Sequence, residues 1–142
     1  MNKIDTLKPV MVTDATGYVA GELVRKLLTA GLTVHAPVRS PNDSEKLKYL
    51  NQIAKNKSGS VRYFKADLLE EGSYLESMQG CQIVFHTASP FTSDFEDPQK
   101  ELVDPAFKGT RNVLESVNKT PFVKRVVLTS SIAAIYSDNA DL

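Results

Sequence analysis

The 142-residue sequence has one cysteine, no tryptophan, two histidines and no net charge, with 17 Lys plus Arg against 17 Asp plus Glu. Each scarcity excludes something. A lone Cys81 rules out an intrachain disulfide and any cysteine-cluster metal site, and fits a reducing compartment. Two histidines far apart in sequence, His35 and His86, leave a metal short of ligands. Charge balance argues against a generic nucleic-acid binder. No apolar run approaches the ~18 residues of a membrane helix, and Met1–Lys8 is too polar for a signal peptide. These absences predict a soluble, cytoplasmic chain with no membrane or nucleic-acid partner, folded as one domain over 1–142.

What is present is an alternation of short apolar runs and amphipathic stretches. Val10–Thr13, Ile83–Thr87 and Val126–Thr129 are β-branched and lack clean alternation, as strands buried on both faces do. Thr33–Val38 and Val61–Lys65 are weaker runs of similar length. Between them, Leu23, Val24, Leu27 and Leu28 form a helical stripe that Gly31 closes. Asn42, Asp43 or Ser44 can cap a second helix carrying Leu47, Leu50 and Ile53. Ser73–Met78 reads as a short helix and Gln99–Asn118 as a longer one, with Pro105 either marking its true start or kinking it. The order β-α-β-α-β-α-β-α-β predicts an α/β fold: a doubly wound, Rossmann-like parallel sheet of about five strands in three layers, α/β/α.

The first strand runs into Thr13-Asp14-Ala15-Thr16-Gly17-Tyr18-Val19-Ala20 and then a helix. In a dinucleotide fold such a turn brings backbone close to a pyrophosphate at the helix N-terminus. Counting about 20 residues on from Gly17 reaches Pro37-Val38-Arg39-Ser40, where NAD-selective folds carry an acid and this sequence has none. Arg39 instead offers a fork of donors suited to a 2′-phosphate, so NADP is expected ahead of NAD.

The string Val12-Thr13-Asp14-Ala15-Thr16-Gly17-Tyr18-Val19-Ala20 resembles the Thr-Gly-x-x-Gly-x-x-Gly/Ala turn of extended short-chain dehydrogenases/reductases. More narrowly, the chain is similar to the dihydroflavonol reductase and cinnamoyl-CoA reductase group of the NAD-dependent epimerase/dehydratase superfamily. The likeness continues through Val38-Arg39-Ser40-Pro41, Lys65-Ala66-Asp67-Leu68, Val84-Phe85-His86-Thr87-Ala88-Ser89-Pro90, Gly109-Thr110-Arg111-Asn112-Val113 and Val127-Leu128-Thr129-Ser130-Ser131. It implies an NADP-dependent carbonyl reductase. Thr13, Gly17, Tyr18 and Val19 would hold the diphosphate side and Arg39 with Lys46 the 2′-phosphate. Asp67 and Leu68 would hold the adenine, and Thr87, Ala88 and Ser89 the ribose and diphosphate. His86 reads as structural rather than as a base, and Cys81 as a small buried hydrophobe.

Two departures bear on activity. Asp14 stands where the family has glycine. Its carboxylate either lies by the pyrophosphate or turns to solvent and caps the following turn. Two like charges ~4 Å apart cost roughly 1 kcal/mol in water and about 4 at an intermediate dielectric. The second departure concerns the family's catalytic Ser, Tyr and Lys, the last two spaced Tyr-x-x-x-Lys. Ser131, with Ser130 as the alternative, matches the serine. The residues four after Tyr18, Tyr49, Tyr63, Tyr74 and Tyr136 are Glu22, Ile53, Asp67, Met78 and Ala140, so no Tyr-x-x-x-Lys occurs. By the resemblance, the chain stops after the fifth strand and before that pair. The expectation is a cofactor-binding portion that is not catalytic by itself. The alternatives are a non-catalytic dinucleotide-fold module and a structural remnant, and an exposed fifth-strand edge would favour self-association.

Overall fold

A computed structural model describes residues 4–90 and 92–135. Five strands, β1 (Val10–Val12), β2 (Thr33–Val38), β3 (Ser60–Lys65), β4 (Ile83–His86) and β5 (Arg125–Leu128), form one parallel sheet in the order β3-β2-β1-β4-β5. Helices α1 (Tyr18–Thr29), α2 (Ser44–Ala54), α3 (Leu75–Met78) and α4 (Asp104–Asn118) make the crossovers.

The sheet feeds two cores, one on each face. Along β1, Val10 and Val12 enter a core with Val24, Leu28, Val34 and Leu50, under α1 and α2. Met11, between them, points the other way, to Met78, Cys81, Val84 and Val113 under α3 and α4. Every β1 side chain is buried, which is why this run is apolar without alternation. The same division splits Ile83 and Val84 on β4. The sheet is thus covered on both faces, the three-layer arrangement expected.

Helix ends follow local chemistry. Asp43 is the N-cap of α2, its carboxylate accepting from the Lys46 N–H at 3.2 Å. Gly31, at φ +83°, ends α1. Its N–H donates to the Leu28 carbonyl, and the Leu32 N–H reaches back to that of Leu27. Pro105 lies in the first turn of α4, where it needs no N–H partner. A single π-helical turn, Gln99–Val103, precedes it, so the long expected helix is two segments.

The fifth strand corrects an expectation. Val126–Thr129 reads as a strand buried on both faces, yet β5 is largely exposed, with Val127 at 41% and Leu128 at 53%. It hydrogen-bonds β4 alone among the described residues and stands at the sheet's edge, so apolar composition did not translate into burial.

Candidate functional site

The chain winds from β1 outward to β3, then returns across β1 to β4. Loops after β1 and β4 therefore part at the carboxyl ends of the strands, leaving a crevice at the point where the winding reverses. A cleft of about 410 Å³ opens there. Of the residues expected from sequence, it brings together Arg39, Lys46, Asp67, Leu68, Ala88 and Ser89. Asp14 and Tyr74 share its lining.

The remaining expected residues sit around it. Thr13 is fully buried beneath the loop, and its side chain is engaged within the protein. Its hydroxyl oxygen accepts from the backbone N–H groups of Thr87 at 3.0 Å and Ala88 at 2.9 Å. The Thr87 hydroxyl in turn donates to the Thr13 carbonyl. Thr13 and Thr87 thereby lock the end of β1 to the end of β4, which holds Ala88 and Ser89 at the cleft. Gly17 is the N-cap of α1, with no side-chain hydrogen bond at that cap. Tyr18 (97% exposed) and Val19 follow on the first turn, at the positive end of the helix dipole. Ser131 lies beyond β5, at the start of a 3₁₀ turn where its carbonyl accepts from the Ala134 N–H at 3.0 Å. It is not among the residues that line the cleft.

Asp14 is exposed where it lines the cleft. Its φ is +53°, the left-handed region that favours glycine. The Gly17 N–H donates to the Asp14 carbonyl at 2.8 Å, closing the turn. The carboxylate folds back over Gly17: a Cβ built there would collide with Asp14 Oδ2 and lie 3.0 Å from its Cγ. Desolvation holds this carboxyl above the usual carboxylate range, with the positive charge of Arg39 pulling the other way.

The far end of the cleft is held by hydrogen bonds that sequence reasoning missed. Asn112, buried on α4, donates from Nδ2 to the carbonyls of Leu68 at 3.1 Å and Glu70 at 2.8 Å. Its Oδ1 accepts from the Gly72 N–H at 2.9 Å. The Ser73 hydroxyl donates to the Asp67 carbonyl at 2.7 Å. These contacts shape the Asp67–Ser73 turn. The available signal was an amide on the helix face otherwise carrying Gly109, Val113 and Ser116. Gly109 lets that helix approach: a Cβ there would lie 2.6 Å from Leu68 Cδ2. Tyr74 was also missed. Burial, with Asp67 and Asp14 nearby, pushes its phenol up to about 12, so it stays neutral.

Two titratable groups outside the cleft are structural. His86 is buried and neutral, its Nε2 3.3 Å from the Thr110 hydroxyl on α4. Burial pushes the Cys81 thiol up to about 12, which leaves it inert as a nucleophile. Among the described residues, no group of three or more His, Cys, Asp or Glu could hold a metal ion.

Comparison with known proteins gives a consistent pattern. The sequence profile of the 3-beta hydroxysteroid dehydrogenase/isomerase family matches residues 11–141. Cinnamoyl-CoA reductase CAD2 of Medicago truncatula is 57% identical over 126 residues, which are 89% of this chain and 38% of that protein. Dihydroflavonol 4-reductase of Gerbera hybrida is 38% identical over 138 residues, 97% of this chain and 37% of that one. Among solved structures, yeast methylglyoxal/isovaleraldehyde reductase Gre2 complexed with NADPH superposes with a TM-score of 0.76 at 32% identity. That match covers 91% of this chain and 39% of the yeast chain. The chain thus spans less than two fifths of the length of these relatives.

Proposed function

This chain belongs to the 3-beta hydroxysteroid dehydrogenase/isomerase family, and we propose that it is the NADP(H)-binding portion of a carbonyl reductase of the cinnamoyl-CoA/dihydroflavonol type. One observation carries the reading. The cleft at the winding reversal gathers Arg39, Lys46, Asp67 and Leu68, and the end of β2 offers a guanidinium where an NAD-selective site needs an acid. The NADPH complex of the yeast neighbour supports the choice of cofactor.

Each residue then has a task. Arg39 grips the 2′-phosphate through its planar fork, with Lys46 adding a second charge. Lys46 is held nearby by Asp43, at 3.5 Å, and must share its ammonium with that carboxylate. Asp67 and Leu68 receive the adenine on the turn that Asn112 braces. Ala88 and Ser89, pinned through Thr13, border the ribose and diphosphate, which face Gly17, Tyr18 and Val19 at the α1 terminus. Bound NADPH would supply the hydride, and Ser131 is the residue proposed to contact the reacting carbonyl. General acid–base chemistry also needs a proton donor. These 142 residues contain no Tyr-x-x-x-Lys, so the polypeptide as it stands is proposed to bind without reducing. Its proposed setting is cytoplasmic.

Titration of the chain with NADPH and NADH tests the proposal. NADPH should bind more tightly, and Arg39→Ala should weaken NADPH at least tenfold while leaving NADH within about twofold. Equal affinities for the two cofactors in the unmodified chain would overturn the NADP assignment.

A further inference from the structure

The loop that should receive the diphosphate already holds an anion. Asp14 is carried in the left-handed region at φ +53°, so the backbone of the turn aims its side chain. Its carboxylate occupies the open face of Gly17, the one place in the loop where a ligand could approach main chain without meeting a Cβ. The Gly17 N–H is spent on the Asp14 carbonyl. Arg39 from the end of β2 acts on this carboxylate, and Lys46 on α2, Asp67 after β3 and Tyr74 at the N-cap of α3 line the same cleft. The positive charges lie toward the end proposed for the 2′-phosphate, and no basic residue occurs in the first turn of α1.

Building on the dinucleotide reading above, we propose that Asp14 is a tethered anion that takes the diphosphate's place over Gly17. The adenosine 2′-phosphate end is then the part of the ligand this site recognises. A free diphosphate brings two negative charges to the spot where Asp14 holds one. It can enter only by displacing the carboxylate or by sitting beside it, and either route cancels what the loop would contribute. The turn still needs a residue that accepts positive φ, which asparagine does as readily as aspartate. Charge and shape can therefore be separated by substitution.

The test uses Asp14→Asn and Asp14→Gly in the 142-residue chain, titrated calorimetrically with NADP⁺ and with adenosine 2′-monophosphate, which lacks the diphosphate. Asp14→Asn should tighten NADP⁺ tenfold or more and leave adenosine 2′-monophosphate within about twofold. Asp14→Gly should do at least as well, since it also removes the side chain from Gly17. An equal gain for both ligands, or no gain for NADP⁺ in either variant while adenosine 2′-monophosphate binds, would overturn the tethered-anion assignment alone. If neither ligand binds any of the three proteins, the dinucleotide reading falls and this inference falls with it.

Discussion

Thr13 Oγ1 lies 3.0 Å from His86 Nδ1, and this contact sets the tautomer of a buried imidazole. The Thr13 oxygen already accepts from two backbone N–H groups, those of Thr87 and Ala88. Its own proton must therefore go to His86 Nδ1. The imidazole carries its hydrogen on Nε2 and donates it to the Thr110 hydroxyl on α4. One threonine thus ties the ends of β1 and β4 together and, through His86, reaches the helix behind them.

Replacing Thr13 by Val keeps the shape and removes the three bonds made by its hydroxyl. Two part-buried N–H groups and one buried ring nitrogen lose their partner, so Thr13→Val should cost about 2–4 kcal/mol of stability. Thr13→Ser keeps the hydroxyl and should cost about 1 kcal/mol, from the lost methyl. Urea unfolding of the two variants checks this. Equal losses would mean that the methyl matters more than the hydrogen bonds.

Acid should destabilise the fold through its histidines. Burial lowers the pKa of both His35 and His86 below the ordinary 6.5. The unfolded chain therefore binds protons that the folded chain refuses, and stability falls as pH drops below about 6.5, while above it this contribution is constant. Asp14 acts in the opposite sense at lower pH, since its raised pKa favours the folded state as the carboxyl protonates. Urea midpoints measured from about pH 8 to pH 5 should decline on the acid side. A flat profile would show that the two imidazoles protonate freely in the folded chain.

Asn112→Asp tests the brace under the end of the cleft proposed for the adenine. A carboxylate has no N–H to give the Leu68 and Glu70 carbonyls, and it would face both from a buried position. The loss should be about 3 kcal/mol or more, with weaker NADPH binding because the Asp67–Ser73 turn loosens. Thermal unfolding and cofactor titration together measure it. Unchanged affinity in a folded variant would free the turn from any role in binding.

The exposed edge at β5 predicts self-association of the 142-residue chain. Val127 and Leu128 are half-exposed on a strand that has only β4 as its neighbour among the described residues. Sedimentation at high micromolar concentration should reveal oligomers, and Val127→Lys should shift the chain toward monomer. Monomeric behaviour of the unmodified chain would count against pairing through this edge.

The sequence by itself determined the local structure and the fold class. Strand identity and the Gly31 terminus depend on residues within a turn of one another, as does the α2 cap, which the sequence narrowed to Asn42, Asp43 or Ser44 and the structure gives to Asp43, and the succession of elements leaves the chain few ways to wind. Arg39 was legible for the same reason, since its meaning depends on its distance along the chain from Gly17. Only the tertiary structure decided which way Asp14 points, because its orientation is set by φ at that residue and by the open face of Gly17. The exposed edge at β5 was expected from the resemblance, whereas the exposure of its Val127 and Leu128 side chains was not, since an edge strand and a central strand can share one composition. Asn112 and Tyr74 acquired their places in the site because folding brought α4 and α3 against the turn after β3. Asn112 meets Leu68 and Gly72 across 44 and 40 residues of sequence. A hydrogen bond spanning that distance leaves no local pattern in the chain and exists only once the sheet has formed.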